Sequence, residues 1–299
     1  MSLVSLAKIR KSTVSSMKQA ILETLDLIDY KFERKTRNVV IKPNLCYYWD
    51  CSTGQTTDPM FVEALVNLLY EKIVPNPDIR IVEADASAMK CRHAFKMLGY
   101  ERLASQYNVK LVNLTEDQSD VASVTIEGRV FRLRVPRTIR DADLRINIPK
   151  IKYTPRKTKI TCALKNIFGC NPYPKKFRLH PELEDVIVAA NKAMKFDLCI
   201  VDGNIVSGIK PRKLGLVMAS KDPVAIDAAA ARIVGLSPDL RYLKLASSEG
   251  LGSISFVPKG APLNYFKDRY PKQDAKTKLV EMAYKAVVLM RLGKRIGLE

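Results

Sequence analysis

Four groups of polar residues stand directly after short apolar runs, where buried strands would end and loops begin. Lys42 and Asn44 follow Val39-Val40-Ile41, and Asp85 and Ser87 follow the run from Ile79 to Glu83. Asp202 follows Leu198 to Val201, and Ser220 and Asp222 follow Leu214 to Ala219. The densest candidate is Lys159 to Cys170, where Lys165 and Asn166 adjoin and Gly169 follows. A lysine is a point charge, an asparagine amide donates and accepts, and glycine admits close backbone approach, so this set suits a phosphate or carboxylate. His180, before Pro181, is one of two histidines and can move protons near neutral pH. Asp58 and Asp222 precede prolines and also fit helix caps, while Asp227 lies inside a helical run. No residue set has diagnostic metal-ligand spacing. G-x-G-x-x-G after the first strand, G-x-x-x-x-G-K-[ST] and G-x-S-x-G are all missing, which removes support for the standard dinucleotide, P-loop and hydrolase sites.

The elements that must position these residues alternate. Spacing predicts a helix over 13–30, strands at 39–41 and 79–83 with a helix from Pro59 between them, then a further helix and a strand at 109–114. Residues 124–131 alternate around Glu127-Gly128 as a hairpin insertion would. A strand at 144–148, a helix at 181–195, strands at 198–201 and 214–219 and a helix from Pro223 complete the rhythm. The fold class expected is α/β: a mainly parallel sheet, mixed at its edge, with helices on both faces. In such sheets ligands bind beyond the carboxyl ends of the strands, so all four polar groups are expected at one edge. Leu279, Met282, Ala286 and Leu289 oppose Lys278, Lys285 and Arg291, predicting a basic amphipathic helix over 273–299.

Composition limits the partners. The chain has 299 residues, 47% of them hydrophobic, and 50 Lys and Arg against 31 Asp and Glu, a formal charge of +19. That surplus attracts anions, whether metabolites, nucleic acid or acidic lipid. Ten basic residues and no acidic ones fall between Arg145 and Arg178. The start lacks a secretory apolar segment and no apolar run is long enough to cross a membrane, so a cytoplasmic location is expected. Cys46, Cys51, Cys91, Cys162, Cys170 and Cys199 form no C-x-x-C pair and read as reduced thiols.

Ile41-Lys42-Pro43-Asn44-Leu45, Thr57-Asp58-Pro59, Ala163-Leu164-Lys165-Asn166 with Gly169, His180, Val201-Asp202-Gly203 and Ala219 to Asp227 occur in this order. Together they resemble the family catalogued as domain of unknown function 362, over about residues 38–255. The resemblance implies one family domain, taken as 1–272, with the basic helix 273–299 appended. It implies a candidate site of Lys42, Asn44, Asp58, Lys165, Asn166, His180, Asp202, Asp222 and Asp227, to which the residue reading adds Gly169. Members are often labelled uncharacterised iron–sulfur centre proteins. This sequence shows no cluster-binding segment, so an iron–sulfur cluster is not expected and the cofactor is left unassigned.

The expectation is an enzyme of open reaction class acting on a small anionic metabolite. Lys42 would hold the anion with Asn44, Asp58, Asn166, Gly169, Asp222 and Asp227, while Lys165, His180 and Asp202 would be catalytic. Two alternatives are an RNA- or DNA-binding protein using residues 145–178, with Tyr153, Phe168, Tyr173 and Phe177 as stacking groups, and a redox protein with a bound cofactor. The C-terminal helix offers a further contact with a membrane surface, and oligomeric state is left open.

Overall fold

The structure is a computed structural model describing residues 1–154, 158–208 and 210–271. The helix expected over 273–299 lies outside the described residues. Twelve strands are described: β1 (Ser2–Lys8), β2 (Asn38–Pro43), β3 (Asp78–Glu83), β4 (Lys110–Asn113), β5 (Ser119–Ile126), β6 (Arg129–Pro136), β7 (Leu144–Ile148), β8 (Lys152–Tyr153), β9 (Ile160–Thr161), β10 (Leu198–Val206), β11 (Arg212–Ser220) and β12 (Phe256–Gly260). The helices are α1 (Val14–Leu27), α2 (Pro59–Lys72), α3 (Cys91–Met97), α4 (Tyr100–Tyr107), α5 (Arg137–Arg140), α6 (Ala163–Phe168), α7 (Leu183–Ala193), α8 (Pro223–Val234), α9 (Arg241–Ser248) and α10 (Leu263–Lys267).

Eight strands form one sheet in the order β12-β1-β11-β10-β7-β2-β3-β4. All neighbours pair in parallel except at β11, which runs against both β1 and β10. The sheet is therefore mainly parallel and α/β, with one reversed strand inside it. Helices α1 to α4 cover one face through a core that includes Met17, Ile21, Phe61, Leu65 and Ala94. The other face is covered by α6 to α9 and by the hairpin β5-β6. The hairpin turns at Glu127 and Gly128, whose φ of 46° and 77° fit the two-residue turn that strand twist favours.

Local signals explain most boundaries. Thr13 caps α1, Asp58 caps α2 with Pro59 at its first position, and Asp222 does the same for α8 with Pro223. Strand β1 has no counterpart in the sequence reading; neither do α9, β12 and α10. The expected convergence of Ser220 and Asp222 with the other polar groups needs correction. Too few residues separate β10 from β11 for a crossover, so they pair antiparallel and Ser220 ends beside Cys199 at the start of β10. Asp222 lies at the amino edge, where its carboxylate accepts from the Ser2 hydroxyl and from Ser253 N–H.

Candidate functional site

At the carboxyl edge β2, β3, β7 and β10 each deliver a polar side chain, and the groups form three linked clusters. In the first, Lys42 Nζ lies 2.8 Å from Glu83 Oε2, with both side chains almost fully buried. Lys42 also donates to Pro43 O at 2.6 Å, while Glu83 accepts from Leu45 N–H and Ala84 N–H. Gly169, just past α6, rests on this pair: a Cβ there would stand 3.6 Å from Lys42 Nζ and 2.9 Å from Asn166 O. That crowding is the reason for glycine at this position. Lys176, from a 3-10 segment at Lys176–Glu182, reaches in to donate to Gly169 O at 2.7 Å. Burial pushes its ammonium down to about 8, with Glu83 opposing that shift and Lys42 adding to it.

The second cluster is a chain of amides. Lys152 Nζ donates to Asn44 Oδ1 at 2.7 Å and Asn44 Nδ2 to Asn166 Oδ1 at 3.0 Å. Asn166 Nδ2 donates to Asn147 Oδ1 at 2.8 Å and Asn147 Nδ2 to Ala163 O at 3.0 Å. Lys152 also donates to Gln55 O, and burial draws its ammonium below the ordinary lysine range. Thr57 pins the loop carrying Asn44, because its hydroxyl accepts from Asn44 N–H and donates to Ile148 O.

The third cluster is Lys150 with Asp202, 3.1 Å apart and fully enclosed. Asp202 also accepts from Asp58 N–H at 2.9 Å and Asn204 N–H at 3.1 Å, so its lone pairs are engaged. Asp58 caps α2 through Met60 N–H. Burial first, and then the neighbouring Asp202 charge, raise its carboxyl above the usual range.

Of the ten residues named from sequence, Lys42, Asn44, Asn166, Gly169, Asp58 and Asp202 are thus brought to one edge by β2, α6, α2 and β10. Lys165 is half-buried on α6 with Thr161 Oγ1 at 3.4 Å. The His180 ring stands 6.5 Å from that of Phe168. Asp222 is on the opposite edge. Asp227 is fully buried on α8 beneath α6, where it accepts from Ala163 N–H at 2.6 Å and Tyr242 Oη at 3.2 Å. It fixes the start of the helix that carries Asn166, which makes it a positioning residue.

Burial raises the Asp227 carboxyl to about 7, against the hydrogen bonds that favour its charged form. Between about 4, where the unfolded chain releases this proton, and about 7, the folded state binds more protons than the unfolded one. Stability carried by this group therefore falls as pH rises through that window, by an amount on the order of 3–4 kcal/mol. Denaturant titrations from pH 4.5 to 8 are expected to show this slope in the native chain and to lose it in Asp227→Asn.

The sequence reading missed Glu83, Asn147, Lys150, Lys152 and Lys176. A usable signal existed for Glu83 and Asn147: each is a polar residue within the last two positions of an apolar strand. Lys150 and Lys152 flank Ile151 and are buried along with it, against the alternation an extended segment would show, so no local pattern marked them. Among the described residues, no group of three or more His, Cys, Asp or Glu side chains gathers to hold a metal.

Fold and site define an α/β protein with a buried, lysine-rich polar cluster at the carboxyl edge of its sheet. The family model described as Domain of unknown function (DUF362) matches residues 39–232, and the chain belongs to that family. It is 35% identical over 234 residues to the thylakoid-associated protein sll1697 of Synechocystis sp. (strain ATCC 27184 / PCC 6803 / Kazusa), covering 74% of this chain and 70% of that one. Among solved structures, the lactate racemase apoprotein from Thermoanaerobacterium thermosaccharolyticum is similar with a TM-score of 0.39 and 11% identity. That likeness covers 82% of this chain, which spans little more than half of that protein (56%).

Proposed function

We propose that the chain is an enzyme whose carboxyl-edge site takes a small anionic metabolite bearing phosphate or carboxylate. The observation that carries this reading is a charge imbalance in the cluster. Lys152 and Lys176 are each 8% exposed, and neither has a carboxylate within ion-pair distance among the described residues. Burying an ammonium without a counter-charge is costly, and an incoming anion relieves that cost. Lys42 is neutralised by Glu83 and Lys150 by Asp202, so the net positive charge resides on the other two. The amide chain from Asn44 to Asn147 orients the ligand, and Asp58 and Asp202 hold the loops around it. Proton transfer falls to the segment Lys176–Glu182, which supplies both Lys176 and His180. The six cysteines are free thiols, in keeping with a reducing cytoplasmic compartment. Among the described residues no helix is long and apolar enough to cross a membrane.

The nucleic-acid alternative has less support. Within residues 145–178, Lys150, Lys152, Lys176 and Phe168 are buried and Arg145 is engaged by Asp197, so these groups form no continuous exposed track.

The test is a thermal-shift and calorimetric panel of phosphorylated and carboxylated metabolites, with inorganic phosphate as the simplest probe. A ligand at 100 times its Kd should stabilise the fold by about 2.7 kcal/mol. Lys152→Met is expected to weaken binding at least about tenfold, because it removes one of the two buried ammonium groups that have no ion-pair partner among the described residues. A panel in which no anion raises Tm sinks the reading, and so does a Lys152→Met chain that binds its anion as tightly as the native one.

A further inference from the structure

Around the same edge lies a second feature that the buried cluster does not use. Tyr47 and Trp49, in the loop after β2, are 46% and 49% exposed; Tyr173 and Phe177, in the stretch after α6, are 40% and 39% exposed. Large rings are normally buried, and four exposed ones on neighbouring loops call for a partner. The loops touch through the segment after β3. Tyr48 Oη accepts from Lys90 N–H at 2.8 Å, and Ser87 Oγ donates to Pro174 O at 3.5 Å.

Cations fringe these rings. Arg92, Arg134, Lys175 and Arg178 are exposed and make no ion pair among the described residues. The Arg134 guanidinium lies over the Tyr173 ring at 5.5 Å. Asp50, beside Trp49, is exposed and accepts from Ser52 N–H as the cap of the short 3-10 turn Cys51–Thr53, one acid against the four cations.

We infer that this rim docks on an anionic lipid bilayer. Tryptophan and tyrosine place an apolar body and a polar tip at the depth of lipid headgroups, and unpaired arginines and lysines beside them complement acidic headgroups. Charge alone would also suit a nucleic acid. The ring geometry favours the bilayer: Tyr47 and Trp49 are tilted by 53° at 5.6 Å, whereas a base needs an open flat face on which to stack. The contact is peripheral and would hold the mouth of the site against the membrane. It stands independently of what the buried cluster binds.

Trp49 is the chain's only tryptophan, so its native fluorescence reports on the rim directly. Mixed phosphatidylcholine–phosphatidylglycerol vesicles are expected to shift its emission to the blue, and brominated acyl chains to quench it. Phosphatidylcholine alone should do much less. Arg134→Glu combined with Arg178→Glu should weaken vesicle co-sedimentation by about tenfold or more without changing Tm, and Trp49→Ala should weaken it comparably. Unchanged emission with both vesicle types overturns the inference. So does a shift produced by a single-stranded RNA oligonucleotide but not by vesicles, which would make the rim a nucleic-acid surface.

Discussion

Glu83→Ala is expected to destabilise the fold by about 3–5 kcal/mol, the range for breaking a buried ion pair from one side. The carboxylate touches Lys42 Nζ and two backbone N–H groups, and it is also the group that opposes the downward shift of Lys176. Without it, two enclosed ammonium groups face each other with no counter-charge. One of them must lose its proton or the loops must open to water. Glu83→Gln keeps one of the two acceptor oxygens and the side-chain volume, and should cost less than the alanine variant. The double variant Lys42→Met, Glu83→Leu should recover much of the loss, because neither partner is then left charged and buried. Urea denaturation at pH 7 measures all three, and a loss below about 1 kcal/mol for Glu83→Ala would mean that solvent already reaches the pair.

Lys176→Met is expected to act in the opposite direction on stability and to damage binding. The folded chain holds this ammonium at about 8, below the ordinary lysine value of 10.5. Between those values the unfolded chain keeps a proton that the folded chain gives up, so native stability rises with pH through the window. Below about 8 both states are protonated and the full burden of burying the charge remains. The methionine variant should therefore be more stable than the native chain at pH 7, on the order of 1–3 kcal/mol after the lost hydrogen bond to Gly169 O. That advantage should fade as pH approaches 10. Over the same comparison, affinity for the anion identified in the panel should fall at least about tenfold, the range for losing a charged hydrogen bond. A variant that is less stable at pH 7 would show that Lys176 serves the fold.

Much of the sheet was legible because apolar runs bounded by polar loops mark parallel strands, and β2, β3, β4, β7, β10 and β11 were read that way. Asp58-Pro59 and Asp222-Pro223 located the starts of α2 and α8 for the same local reason. Strand β1 was not legible. Its serines Ser2 and Ser5 break the apolar pattern, and its burial depends on pairing with β11 and β12 from the far end of the chain. The reversal of β11 could have been read from the short β10–β11 connection, and missing it placed Asp222 on the wrong edge. Lys150, Lys152 and Lys176 were hidden by their own chemistry: in a basic run a lysine reads as surface, and only tertiary packing turns three of them inward. Asp227 was read as a substrate-binding residue, whereas its place beneath α6, bonded to Ala163 N–H and Tyr242 Oη, comes from the packing of α8, which no local pattern announces.

The carboxamide chain from Asn44 to Asn147 has a direction. Each link gives its hydrogen forward and takes one from behind, so rotating any single amide by half a turn would set like against like on both sides. Only two arrangements of the whole series are self-consistent, and the Lys152 ammonium, which can only give, selects one of them. A positive charge near the mouth thereby dictates which atom Asn147 presents deep beside Cys199, and the row behaves as a one-way conductor of polarity from rim to interior.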